Sequence, residues 1–241
     1  MLQQRSIGTT RRALLGAGAG LLWLAPSAAR TKGRAADAVD SDNFLGYHGI
    51  TETSGDSHLD SALGMMLADL VYRYHIRPSF AFYDDSANFN AFATVITRVS
   101  HSKGTVMFGR TLLARSLEDP DGDMLVMAIC AHECGHIVQK FSSYERRLTA
   151  GQPTARLLEL HADYQSGHYI GIRGENYAPE RLIALGRGWQ ALGDCNYTNP
   201  DHHGTPEERL EAIEAGFTLA REHPQFTVKQ VCEAGAKYLG V

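Results

Sequence analysis

The feature that most constrains this chain is the run over residues 124–140. It is apolar on nearly every side until His132, and then reads His132-Glu133-Cys134-Gly135-His136. A helix that is hydrophobic all round belongs in a core. The fold must therefore bury two histidines and a glutamate along with it, which is costly unless each is hydrogen-bonded or bound to a metal. Asp119-Pro120-Asp121-Gly122-Asp123 supplies the turn that starts the helix. The four-residue spacing puts both imidazoles on one face, one turn apart, within reach of a single ion. Glu133 follows His132 by about 100° of rotation, so its carboxylate falls beside the ion's open position. This is the HExxH pattern, in which zinc makes water acidic near pH 7 and the glutamate takes its proton.

A catalytic zinc takes three protein ligands and leaves one position open. The candidate third ligand is Glu159, in Glu159-Leu160-His161-Ala162-Asp163 on a helix expected over residues 154–170. Glu159 and Asp163 share a face with Ala162 and Ser166, whose small side chains allow close helix approach. Asp163 is placed to orient a ligand histidine by accepting its second ring N–H. His161 is the rival ligand, but it points about 200° from Glu159, so only one of the two can face the metal helix. A third cluster is Asp201-His202-His203-Gly204-Thr205-Pro206-Glu207-Glu208-Arg209. Thr205 reads as an N-cap, with Pro206 at the first helical position and Glu208 closing a capping box. His203 is then a candidate donor to the oxyanion of a tetrahedral intermediate. Arg209 is a candidate to brace the ligand carboxylates by a bidentate pair.

The rest of the chain supplies the frame. Leu59, Ala62, Leu63, Met66, Leu67, Leu70, Val71 and Tyr74 keep helical spacing from Ser57, with Asp56 or Ser57 as cap, and Pro78 ends the segment. Residues 79–83, 92–99 and 104–108 read as strands. Further helices are expected over 112–117, 179–192, 206–221 and 228–239, two of them started by proline. With no linker or repeat visible, residues 39–241 read as one α+β domain. Arg5, Arg11 and Arg12, an apolar run of about 13 residues too short for a bilayer helix, and small residues near Ala29 and Ala38 mark residues 1–38 as a leader. Thr10-Arg11-Arg12-Ala13-Leu14-Leu15 resembles the twin-arginine signal, so export to the periplasm or beyond is expected, without stable membrane insertion. The net charge of −4 disfavours nucleic acid as a partner. Of the four cysteines, Cys195 and Cys232 are the expected disulfide pair, and Cys130 and Cys134 are expected as core filling.

On these residues the chain resembles the gluzincins, zinc peptidases with HExxH followed by a glutamate ligand in ExxxD. Asn90-Ala91-Phe92-Ala93, the strand over 104–109 and the HExxH helix resemble the order in HtpX-like and CAAX-prenyl-protease-like peptidases. Glu159, Ala162 and Asp163, then Leu192-Gly193-Asp194, His203-Gly204-Thr205 and Arg209, resemble the neutral zinc metallopeptidases. The resemblance covers residues 79–217, with His161 and Tyr164 where the latter group often shows Gln and Cys. It implies a zincin-like (minigluzincin) core: a short sheet, an active-site helix, a glutamate helix and a helical C-terminal part. It also implies an edge strand, expected at 104–109, that pairs with an extended peptide.

The expected function is peptide-bond hydrolysis with one zinc ion on His132, His136 and Glu159. Glu133 would act as general base and then acid, and a peptide or protein would be the substrate. The alternatives are a zinc-stabilised periplasmic binding or assembly factor that does not cleave, and a latent peptidase whose cleft is blocked by residues 39–58. Glu133 counts against the first, because zinc binding alone does not require it.

Overall fold

The structure, a computed structural model, describes residues 45–119, 121–173, 179–190 and 202–241. The leader over 1–38 and Cys195 lie outside them. The elements are α1 (Ser57–Tyr74), β1 (Ser79–Tyr83), β2 (Ala91–Thr94), β3 (Thr105–Gly109), α2 (Arg110–Ser116), α3 (Gly122–Lys140), α4 (Tyr144–Thr149), α5 (Arg156–Arg173), α6 (Pro179–Gln190), α7 (Pro206–Glu222) and α8 (Val228–Tyr238). The chain is thus α+β and mostly helical, with a small three-stranded sheet. No helix among the described residues is long and apolar enough to cross a membrane.

Helix α1 starts where the Asp56 side chain accepts the backbone N–H groups of His58 and Leu59, at 2.9 and 3.2 Å. It ends at His75, in the left-handed region. Its buried stripe of Leu63, Met66, Leu70 and Tyr74 joins the same core as α3, in which every residue from Val126 to Gly135 is buried. The short helix α4 was not anticipated; Tyr144 and Leu148 tuck into the core at its single apolar face.

The sheet order is β1-β3-β2, with β3 parallel to β1 and antiparallel to β2. This overturns the expectation that residues 104–109 form the free edge. Both ladders of β3 are occupied and all five of its residues are buried, so the outer strands are β1, which Thr51 bridges at Phe82, and β2, which has no further strand partner among the described residues. Strand β2 is also shorter than the run over 92–99. Its last pair is Thr94 with Thr105, after which the Thr105 hydroxyl captures the Ile96 carbonyl at 2.7 Å. One face of the sheet packs on α3 through Phe82, Val106 and Phe108. The other gathers Ile50, Ala81, Tyr83 and Met107, and the Tyr47 ring lies 4.8 Å from Tyr83 and 4.7 Å from Phe92. Of residues 45–58, the described part of the segment considered as a cleft block, Tyr47, Ile50 and Thr51 thus contact the sheet, and none lines the cleft described below.

Helices α5 and α7 approach backbone to backbone. A Cβ on Gly167 would overlap the Ile213 carbonyl oxygen, and one on Gly216 would overlap that of Tyr164. Between α3 and α5 the small residues Gly135 and Ala162 meet, and Ser166 donates to the Ala128 carbonyl at 2.7 Å. Cys130 and Cys134 are buried free thiols. Cys232 is also free and donates to Gln165 Oε1 at 3.3 Å, while its expected partner Cys195 lies outside the described residues. Burial on α8 directs that sulfur into the helix core.

Candidate metal centre

Two helices meet at the site. From α3, one turn apart, His132 and His136 turn their Nε2 atoms toward each other at 3.0 Å. From α5, Glu159 brings one oxygen to 3.3 Å from His132 Nε2 and the other to 3.3 Å from His136 Nε2. These three residues present donor atoms that all lie within 4.8 Å of one another, a group able to hold a metal ion. The small contacts of Gly135, Ala162 and Ser166 are what let the helices come this close.

The outer ring nitrogens decide what the inner ones present. His132 Nδ1 lies 2.7 Å from Asp163 Oδ1, and His136 Nδ1 lies 2.9 Å from Gln139 Oε1. Both outer partners are acceptors, so the neutral rings carry their hydrogens on Nδ1 and turn bare lone pairs inward. Two lone pairs and a carboxylate at about 3 Å repel unless a cation sits among them. Against protons alone the same demand shows in the titration. Burial pulls His132 down, but Asp163 and Glu159 outweigh it and hold the ring at about 10. Burial likewise opposes ionisation of Glu159, yet His136, His132 and His203 hold it well below the usual carboxylate range. The donor set fits a metal ion.

Asp163 is fully buried and takes a bidentate pair from Arg209, with Nε and the second terminal nitrogen each at 2.8 Å. Burial opposes its charge, and Arg209 with His132 overcomes this and keeps it ionised. Arg209 thus braces the carboxylate behind His132, while Glu159 receives His203, whose Nδ1 lies 3.1 Å from Oε2. The His203 side chain is about half exposed at the cleft wall. Thr205 makes the capping box that starts α7: its hydroxyl accepts Glu208 N–H and Glu208 accepts Thr205 N–H. His161 faces away, with Nε2 2.9 Å from the Cys232 carbonyl and its ring stacked on Tyr144.

Glu133 is buried beside the histidines and lines the cleft; burial pushes its carboxyl up, against the pull of His132 and His136. The cleft has a volume of about 560 Å³. Its walls include residues 88–93 on the β2 side, Ile129, Leu112 and Trp189. Sequence reasoning passed over Gln139 and Trp189. Gln139 had a signal, being the polar residue one turn beyond His136 on an apolar helix. Trp189 had none: its ring sits 5.7 Å from that of His132 and 5.2 Å from the Arg209 guanidinium through tertiary packing alone.

The site belongs to a general class, a buried group of two histidines and one glutamate able to hold a cation, lining an open cleft. Compared with protein-family models, curated proteins and solved structures, the chain matches none.

Proposed function

We propose that this protein is a zinc-dependent metallopeptidase with a gluzincin-type site on a zincin-like core, acting on peptides after export. The observation that carries the reading is the convergence of His132, His136 and Glu159 beside Glu133 in one cleft. Ligands about 2.0–2.1 Å from a tetrahedral zinc stand about 3.3 Å apart, close to the donor separations of 3.0 and 3.3 Å here. A zinc ion held by His132, His136 and Glu159 would supply Lewis-acid chemistry, making water acidic near pH 7 and polarising a carbonyl.

The chain's own residues do the rest. An extended peptide lies in the cleft beside the open side of β2, where main-chain pairing aligns it. Glu133 accepts a proton from the attacking water as the oxygen bonds to the carbonyl carbon. It returns that proton to the amide nitrogen as the C–N bond breaks, giving a carboxylic acid and an amine. Its low-polarity surroundings raise its basicity for the first of these steps. His203, at the cleft wall, donates to the developing oxyanion. Asp163 and Arg209 hold the His132 ring in place.

The test is digestion of a mixed peptide library by the mature, zinc-loaded protein beside Glu133→Gln, read by mass spectrometry. The wild type cuts, and the variant retains zinc while losing at least about 100-fold in rate. Equal products from both, or none from a zinc-loaded wild type, would overturn the peptidase reading. The second outcome would favour a binding factor of the same fold.

A further inference from the structure

Behind His136 runs a chain of buried hydrogen bonds that ends on another helix. Gln139 is about 1% exposed, and its Nε2 donates to the Leu158 carbonyl at 2.8 Å. A carbonyl can only accept, so the amide orientation is settled and Oε1 is the atom that faces His136. The same Nε2 lies 3.1 Å from His161 Nδ1. His161 Nε2, in turn, lies 2.9 Å from the Cys232 carbonyl on α8. That carbonyl too can only accept, so the neutral His161 ring carries its hydrogen on Nε2 and offers a bare Nδ1. Gln165 Nε2 stands a further 3.1 Å from the same nitrogen and confirms it as an acceptor.

Each link therefore dictates the next. The Cys232 carbonyl takes the His161 hydrogen, bare Nδ1 takes a Gln139 amide hydrogen, and Gln139 Oε1 takes the Nδ1 hydrogen of His136. His136 is left with its Nε2 lone pair pointing at His132 and Glu159. We propose that Gln139 is the positioning residue of the second ligand histidine, held in its orientation by the Leu158 carbonyl and, from α8, through His161. This rests on the metal-centre reading above. The arrangement complements that on His132, where Asp163 and Arg209 do the same work with charge. Here the relay is neutral, so it fixes a tautomer without adding charge to the site.

The experiment uses the full chain with 15N-labelled histidine, together with Gln139→Leu and His161→Phe, the second keeping an aromatic ring against Tyr144. Long-range proton–nitrogen spectra of the wild type should show His161 protonated on Nε2, assigned by its loss in H161F. Zn2+ affinity, measured by competition with a chelating dye, should fall about 10–100-fold in Q139L and fall to a smaller extent in H161F. A merely structural Gln139 would lower the melting temperature and leave Zn2+ affinity untouched. Unchanged affinity in both variants overturns the relay alone. So does a His161 ring protonated on Nδ1, a result that stands even if Q139L fails to fold. A wild-type chain that binds no Zn2+ overturns the metal-centre reading itself, and Gln139's role falls with it.

Discussion

At the scale of single residues, buried charge and buried rings set this protein's sensitivities. Arg209 is about 4% exposed and satisfies a fully buried Asp163. Arg209→Leu would leave that carboxylate without its cation and cost about 3–5 kcal/mol of stability, measurable by urea unfolding. If the loss were under about 1 kcal/mol, the pair would not be the brace described. His168 offers a separate test away from the metal centre. Burial, followed by Arg73, pulls its pKa down to about 4, against only a partial lift from the His223 backbone. Its Nε2 is buried without a hydrogen-bond partner. Because the folded value lies below the unfolded one, the unfolded chain holds a proton that the native chain lacks between these two values. Stability is therefore full above about pH 6.5, falls as pH drops toward 4, and levels off below it, by at most about 3 kcal/mol. Unfolding free energies measured across that range should slope upward with pH, and His168→Phe should flatten the slope. An unchanged slope would assign the effect to another group.

At the scale of elements, the backbone-to-backbone approach of α5 and α7 depends on glycine. Gly216 meets the Tyr164 carbonyl directly, and Gly171 faces Ala220 one turn further along. Gly216→Ala would push the helices apart and cost about 1–3 kcal/mol. It would also move Arg209, two turns earlier on α7, relative to Asp163 on α5. Chemical denaturation and Zn2+ affinity should both report the change; a variant as stable as the wild type would show that the helices separate freely. These glycines had no special mark in the sequence. Helical spacing shows which residues share a face, but not that a face is pressed against another backbone.

At the scale of the whole molecule, the three donors able to hold a metal ion come from two helices that otherwise meet through small residues. A cation bound only by the folded chain stabilises it by mass action, by about 2.7 kcal/mol at a free concentration 100 times Kd. Chelation of the zinc-loaded protein should then lower Tm by roughly 5–10 °C for a chain of this size, recoverable on adding Zn2+ in a thermal scan. No shift would mean that the three donors hold no ion in solution.

What the sequence by itself determined is local. A four-residue spacing on a helix puts His132 and His136 one turn apart whatever surrounds them. The same periodicity sets Glu159 with Asp163, and turns His161 away from them. Thr205, Pro206 and Glu208 start α7 by contacts made within one turn. The all-apolar character of α3 required a buried helix before any neighbour was known. What only the tertiary structure decided is which elements lie opposite one another. Strand order is one case: hydrophobic runs reveal strands but not their partners, so residues 104–109 took the centre of the sheet and β2 an outer edge. Others are the choice of Asp163 as the carboxylate that Arg209 braces, the free thiol of Cys232 and the orientation of Gln139. The physical reason is common to all of them. Backbone geometry repeats every few residues and is written in spacing, whereas a hydrogen bond or ion pair between distant segments depends on how whole helices pack.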